Sequence, residues 1–431
     1  MTKSASLSRR PWTTSVVWGW RLELQLGAIT AALQLLSLDL TPVGPILVLA
    51  VQIVILLKRT DLRARFETTA SRHHEVAQLH HACLLSGLVN SRGEIPQVIK
   101  HASLSVGRRY LIRLPMGIPF DAVEQRAQTL ASSLGAKSVR ATAVRENAQL
   151  FELAVIRQDA FPSVIAPTTD LSKEVNLWSP TEFGIAEDGR SVAIQLPEHN
   201  LLIGGEPGSG KSVALAHLLS LAACDPHVTI TLLDGKQVEL AEWAPVADLF
   251  VGPDQSQALD ALIYLQGLMD TRYDLLMAER RRKITPSSGF GLHLVVIDEL
   301  AFYLRGGKKD VRDAFAESLR DLVSRGRAAG IIVIAATQKP SHDVVPTWIR
   351  DLFAYRLAMR CTSNDASDTI LGSGWAQRGF SATAIDPTNR GVGYLLAEGT
   401  TPLLLKLPYL DDDQIRHVVQ HAMALRGIHG R

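Results

Sequence analysis

Cysteine is scarce in this chain. Cys83, Cys224 and Cys361 are the only three. They lie far apart and are odd in number, which excludes a disulfide framework and the paired spacing of a structural zinc site. Such usage suits a reducing cytosol. A dominant charge is also missing, since the net charge is +2 over 431 residues. The basic excess falls in residues 1–65 and 66–168, whereas 169–431 is net acidic. A grip on a polyanion must therefore come from a local patch and not from the overall field. No internal repeat or low-complexity linker is present, and "APTTD" (166–170) marks the clearest boundary.

No apolar run reaches the roughly 20 residues that span a bilayer unaided. Two come close: "LGAITAALQLLSL" (26–38) and "GPILVLAVQIVILL" (44–57), separated by "DLTPVG". Flanking residues extend both, and Trp12, Trp18 and Trp20 suit a headgroup region. Basic residues stand at both outer ends: Lys3, Arg9, Arg10 and Arg21 before, Lys58, Arg59, Arg63 and Arg65 after. The expectation is a two-helix transmembrane hairpin over 1–65, in a multi-pass protein of the cell membrane with both termini cytoplasmic. A second apolar run and the absence of a small-residue cleavage site argue against a signal peptide. The alternative is a buried helical hairpin, because Glu23, Gln25, Gln34 and Gln52 dilute the apolar signal.

Residues 66–168 read as a small α/β adaptor domain. "RRYLIRL" (108–114) and "LFELAVIR" (150–157) alternate as strands do, and "DAVEQRAQTLASSLG" (121–135) has helical spacing. His73, His74, His80 and His81 precede it on a helical pattern. No carboxylate or thiol completes a convincing ligand set with them, so a solvated helix face is the better reading than a metal site.

The third segment, 169–410, carries the chemistry, with 411–431 read as a short C-terminal tail. "NLLIGG" (200–205) is a strand and "SVALAHLLSLAA" (212–223) a helix of good formers. Between them Gly205, Glu206, Pro207, Gly208, Ser209, Gly210, Lys211 and Ser212 fit G-x-x-x-x-G-K-[ST], with Val213 opening the helix. Glycines let consecutive N–H groups turn inward towards phosphate oxygens, and the helix N-terminus adds partial positive charge. Lys211 is the residue for the β- and γ-phosphates of ATP, and the Ser212 hydroxyl is a ligand for Mg²⁺.

Binding alone is not hydrolysis. "LHLVVIDEL" (292–300) ends a buried strand in Asp298 and Glu299, which places two carboxylates at the sheet edge beside the phosphate loop. Asp298 is read as a second Mg²⁺ group and Glu299 as the residue that orients or deprotonates the attacking water. "IIVIAATQKP" (331–340) ends in Thr337 and Gln338, with Gln338 placed to sense a γ-phosphate.

The ordered series "NLLIGGEPGSGKSV", "TITLLDGKQVEL", "LMDTRYDLL", "LVVIDELAFYL", "GRAAGIIVIAATQKPS" and "YRLAMRCTSNDASDTILG" resembles the FtsK/SpoIIIE DNA translocases across nearly all of 170–410. The resemblance implies a RecA-like α/β P-loop NTPase motor, a homo-hexameric ring and ATP-driven movement of double-stranded DNA. It also implies that Arg356 reaches the neighbouring subunit's nucleotide, with Arg325 and Arg327 as rivals, and that Arg378 lies near a DNA-contacting loop. Lys308 and Lys309, in "RGGKK", are a second candidate DNA contact. Plain surface roles remain the alternatives for Arg356 and Arg378. The family's cell-division members usually have four membrane helices, a long linker and a winged-helix DNA reader. The layout here looks more like the FtsK-type conjugative transfer proteins of actinobacteria, working with a separate DNA-recognition or accessory transfer protein. Chromosome segregation, a type VII-like protein-secretion ATPase, an ABC-type ATPase and an inactive scaffold are the competing readings. The single P-loop weighs against the second of these four. The lack of an LSGGQ-like stretch weighs against the third, and the intact Lys211, Asp298 and Glu299 weigh against the last.

Overall fold

Strands that are apolar on both faces need helices on both sides, and the larger part of this chain is built that way. The computed structural model describes residues 74–428 apart from 105, 145, 159, 160, 162, 163, 339, 342 and 343. The expected membrane hairpin over 1–65 lies outside the described residues. Among those described, no helix is long and apolar enough to cross a membrane. The chain divides into two compact units at His81/Ala82. In the first, residues 74–81 are described and helical. No group of metal-ligating side chains able to hold an ion occurs among the described residues. The rest of this section concerns the second unit.

Its first layer is an antiparallel sheet of β1 (Gln97–Leu104), β2 (Gly107–Arg113), β3 (Ser138–Ala143) and β4 (Leu150–Ile156), in the order β1-β2-β4-β3. Alternation on β2 and β4 buries Tyr110, Ile112, Phe151 and Leu153 on one face. Two short helices, α1 (Phe120–Gln125) and α2 (Ala127–Ser133), bury Val123 and Leu130. The single helix expected over 121–135 is thus split. At the junction the Arg126 guanidinium turns back to the carbonyls of Ser86 and Ala122 (2.9 and 3.2 Å).

A ten-stranded mixed sheet follows. Its strands are β5 (Thr181–Ala186), β6 (Ser191–Ile194), β7 (Leu201–Gly204), β8 (Thr229–Asp234), β9 (Leu249–Val251), β10 (His293–Asp298), β11 (Ile331–Thr337), β12 (Tyr355–Met359), β13 (Val392–Ala397) and β14 (Leu403–Lys406). The order is β6-β5-β14-β13-β12-β7-β11-β10-β8-β9. From β12 to β9 all neighbours run parallel. The helices are α3 (Lys211–Ala223), α4 (Gln255–Ala278), α5 (Leu300–Arg305), α6 (Lys309–Arg325), α7 (Thr347–Arg350), α8 (Asn364–Leu371) and α9 (Asp412–Leu425).

The period of two along each central strand sorts its side chains between two cores. Leu201, Ile203, Leu294, Val296, Ile332 and Ile334 pack with Leu218 and Leu221 of α3 and with Val418 and Ala422 of α9. Leu202, Val295, Ile297 and Val333 pack with Leu262, Leu265 and Met269 of α4 and with Phe315 and Leu319 of α6. The stretch expected as a tail is therefore largely structural. Asp411 caps α9, and the Arg426 guanidinium donates to the carbonyls of Ala222, Ala223 and Asp225 at 2.8–2.9 Å, closing the C-terminal end of α3.

Polar contacts link the first layer to the ten-stranded part. Arg140 donates to Glu187 (2.8 Å) and to the Tyr394 hydroxyl (3.0 Å). Arg109 pairs with Asp188 at 2.6 Å, and Arg378 with Glu124 at 2.9 Å.

Candidate active site

Parallel register brings four strand ends to one edge. Gly204 of β7 faces Thr337 of β11, and Asp298 of β10 faces Asp234 of β8. Each preceding residue is fixed by burial on both faces, so the polar ends emerge together at the carboxyl edge, where open parallel sheets bind ligands.

The loop from Gly205 to Gly210 curls there. Gly208 (φ +75°) and Gly210 (φ +107°) hold left-handed backbone that a side chain would strain. A Cβ on Gly210 would also lie 2.5 Å from the Gly391 nitrogen. The loop is tied on three sides. Gly205 N–H donates to Thr337 O (3.3 Å), Glu206 N–H to Arg360 O (2.9 Å), and Gly391 N–H to Ser209 O (3.1 Å). Glu206 also pairs with the Arg360 guanidinium. Lys211 opens α3, and its ammonium donates to the carbonyls of Gly205 and Glu206 at 2.7 and 2.9 Å. Burial lowers the Lys211 pKa to about 8, opposed chiefly by the charge of Glu299. At neutral pH it stays mostly protonated, a cation held over a loop of inward-curled backbone.

Asp298 is buried, and burial lifts its pKa to about 6, with Lys236 pulling the other way. Its Oδ2 has no hydrogen-bond partner and lies 3.8 Å from the Lys236 ammonium. Glu299 adopts φ +56°, unusual for a residue with a side chain. Its carboxylate accepts from the Thr337 hydroxyl (3.2 Å) and the Gln338 N–H (3.2 and 3.3 Å), with Lys236 at 3.6 Å. The acid is thus clasped to the end of β11. A buried carboxylate oxygen without a donor lines the same cleft as the hydroxyl residue Ser212, and the two are hard-oxygen donors of the kind that fits Mg²⁺.

Pro207, Gly208, Gly210, Lys211, Ser212, Val213, Asp298 and Gln338 line one cleft of about 510 Å³. Glu239, Val164, Thr388, Arg390, Lys406, Leu407 and Tyr409 complete its wall. Sequence reasoning gave these last residues no part, and it gave none to Lys236. Lys236 had a legible signal, since "TLLDGK" ends a strand in Asp234 at the same edge as Asp298. Glu239 lies in the same stretch, and the others come from distant segments that only the topology brings near.

The remaining candidates lie elsewhere. Arg356 faces Leu202 in register, two residues before the end of β7. It lines a second cleft of about 360 Å³ with Arg327, Asp351 and Glu398, which shares no residue with the first. Its Nη1 is 3.6 Å from Asp351, and its Nε has no hydrogen-bond partner. Arg325 is engaged by Asp321 and Asp270 at 3.0 and 2.9 Å. Arg378 lies over the Trp375 ring (4.4 Å) while it pairs with Glu124. Lys308 and Lys309 are exposed at the start of α6.

Residues 173–372 match the model of the FtsK/SpoIIIE family. The DNA translocase FtsK of Staphylococcus epidermidis is 26% identical, the alignment covering 73% of this chain and 41% of that protein. The Bacillus cereus DNA translocase FtsK gives the same three figures. The chain thus spans about two fifths of the length of the curated relatives it matches. Among solved structures, the pCW3 conjugation coupling protein TcpA, in a monomer form with ATPγS, aligns with TM-score 0.56 at 20% identity. That alignment covers 82% of this chain and 99% of TcpA. ATPases 2 and 3 of EssC from Geobacillus thermodenitrificans align with TM-score 0.51 at 16% identity, covering 62% of this chain and 52% of that one. Both likenesses concern the fold.

Proposed function

We propose, for a chain whose segment 173–372 belongs to the FtsK/SpoIIIE family, that it is an ATP-driven double-stranded DNA translocase serving conjugative transfer. The observation that carries this reading is that Lys211, Asp298 and Gln338 line one strand-edge cleft, with Glu299 clasped to Gln338 behind it and its charge acting on Lys211. The glycine loop binds the triphosphate through its N–H groups, and Lys211 neutralises the β- and γ-phosphates. Mg²⁺ held near Ser212 and Asp298 would supply further neutralisation of phosphate charge. Glu299 takes the proton of the attacking water, while Thr337 and Gln338 fix where its carboxylate stands. The clasp also joins the base to the strand that carries Gln338, so the state of the phosphates is felt along β11.

The larger assembly belongs to the same proposal: a homo-hexamer anchored in the cell membrane by residues 1–65, with the motor cytoplasmic and a separate protein choosing the DNA. Lys308 and Lys309 are the first candidates for phosphate contacts, being exposed and without ion-pair partners among the described residues. Arg378 contacts DNA only after leaving Glu124.

The test is ATPase activity of the full-length protein with duplex DNA, single-stranded DNA or a secreted polypeptide added. Duplex DNA should stimulate it most, and Lys308→Ala with Lys309→Ala should reduce that stimulation while sparing basal turnover. Stimulation by polypeptide alone would move the protein to the secretion motors. Fractionation of cells checks the anchor, since recovery wholly outside the membrane fraction would remove it from the proposal.

A further inference from the structure

We propose that Arg360 is the counter-ion of an acidic phosphate loop. Its guanidinium neutralises the Glu206 carboxylate that the loop itself carries, and so lets the loop accept a triphosphate. The inference rests on the cleft beside Lys211 being the nucleotide site. It adds a residue that belongs neither to the glycine-loop motif nor to the wall of that cleft.

The motif leaves position 206 open, and a carboxylate there is a poor neighbour for phosphate. Like charges close together in a partly buried site repel far more than they do in water. The fold answers through register. Strands β7 and β12 run parallel, with Ala358 opposite Gly204. Two residues further along each chain, Arg360 comes level with Glu206. There the Glu206 N–H donates to Arg360 O at 2.9 Å, one rung beyond the sheet. Gly205 keeps the loop close, since a Cβ on it would lie 2.9 Å from Met359 Cβ and 3.3 Å from Arg360 O. The two side chains then meet, Arg360 Nη1 against Glu206 Oε1. No hydrogen bond among the described residues is aligned on that oxygen, so the contact is one of charge. The side chains of Arg360 and Glu206 are only 26% and 17% exposed, and partly buried pairs are weakly screened.

Lys211 shares this neighbourhood, its ammonium donating to the Glu206 carbonyl at 2.9 Å. The Cys361 thiol registers all three charges. Its pKa is lifted to about 12, chiefly by burial, with Glu206 pushing it up and Lys211 and Arg360 pulling it down. Loop and strand end together therefore present two cations and one anion to an entering ligand. Without Arg360 the anion offsets Lys211, the cation that the β- and γ-phosphates need. A purely structural tie predicts something else. The backbone bond from Glu206 to Arg360 survives any change of side chain, and loss of either partner of a tie should weaken the site in the same direction. As charges, the two partners act with opposite sign.

The experiment measures equilibrium binding of ATP and ADP to the full-length protein at low and high salt. Arg360→Ala should weaken ATP about tenfold and ADP by less, and both losses should shrink as salt rises. Glu206→Gln should bind ATP at least as tightly as the wild type. The double variant, Glu206→Gln with Arg360→Ala, should recover most of what Arg360→Ala loses. Arg360→Lys, which keeps the charge, should stay within about threefold of the wild type. Turnover of Arg360→Ala at saturating ATP should also stay within about threefold, so that the loss falls on KM and not on kcat. Weakened ATP binding in Glu206→Gln overturns the counter-ion role, and that variant decides the matter even if Arg360→Ala does not fold. Wild-type ATP affinity in Arg360→Ala, or no recovery in the double variant, overturns it as well. Lys211→Ala separates the underlying reading, because it must lose both nucleotides. If it binds both as the wild type does, the cleft itself has been misassigned.

Discussion

Lys211 stands where burial and charge oppose each other. Desolvation lowers its pKa to about 8, and its ammonium spends its hydrogen bonds on two carbonyls of its own loop. No other described cation combines burial, a place in the cleft and the first turn of α3. Lys211→Ala should therefore abolish ATP binding at concentrations that saturate the wild type, read by equilibrium binding. Glu299→Gln should keep binding and slow hydrolysis by about a hundredfold or more, because the amide cannot take a proton. Wild-type turnover in that variant would remove Glu299 from the base role. A different pair sets the acid response of the fold. His293, buried and bonded to the Thr231 hydroxyl at 2.8 Å, has its pKa lowered to about 4, chiefly by burial. The unfolded chain takes this proton first, so His293 makes the fold less stable as pH falls from about 6.5 to about 4, by up to about 3 kcal/mol. Asp298, raised to about 6, acts with the opposite sign, since the folded state takes its proton first. His293→Gln should flatten the loss of stability below pH 6.5, and Asp298→Asn should steepen it. Thermal melts from pH 7 to 4 check both, and parallel curves for all three proteins would refute the pair.

At the scale of elements, what the sequence made legible was contiguous. The glycine loop, β7 with α3, β10 with Asp298 and β11 with Thr337 each declare themselves within a dozen residues. In each, backbone geometry and burial are set by near neighbours. The strands β1 and β3 did not declare themselves. β1 is mostly exposed along "QVIKHASL", and β3 alternates but buries only Val139 and the small Ala141, so neither carries the large apolar residues that marked β2 and β4. The helix 121–135 looked continuous because its spacing is continuous, and the break at Arg126 depends on a contact with Ser86 from another segment. The C-terminal stretch was short enough to look like a tail, yet its apolar spacing fits the groove beside α3. Arg426→Ala should accordingly lower stability by about 2 kcal/mol, since three carbonyls at the end of α3 lose a charged donor. Denaturant melts measure it, and an unchanged midpoint would make that contact incidental. Gly210→Ala should lose ATP binding altogether, because its backbone is left-handed and its Cβ would collide with Gly391.

For the whole molecule the question is whether one chain suffices. Arg356 lies two residues before the end of β7 in register, in a cleft that shares no lining residue with the one around Lys211. Within its own chain it lines no part of the candidate nucleotide cleft. Burial depresses its pKa, yet its one ion-pair partner among the described residues, Asp351, is 3.6 Å away and half exposed. In the proposed hexamer, a partly desolvated guanidinium so loosely paired would suit an anion brought by another subunit. Arg327 shares the cleft and is the local rival, whereas Arg325 is already engaged by two aspartates. A planar, permanent charge inserted against a γ-phosphate stabilises the transition state by about a thousandfold or more in rate. Arg356→Ala should then bind ATP normally and hydrolyse almost none of it. Mixing decides the matter. Lys211→Ala subunits are dead but carry an intact Arg356, and Arg356→Ala subunits are dead but carry an intact Lys211. At interfaces where each supplies what the other lacks, a whole site forms again, so the mixture should regain activity that neither parent has. A mixture that co-assembles and stays inactive, or an Arg356→Ala protein that turns over as the wild type does, places the trans residue elsewhere, with Arg327→Ala as the next variant to mix.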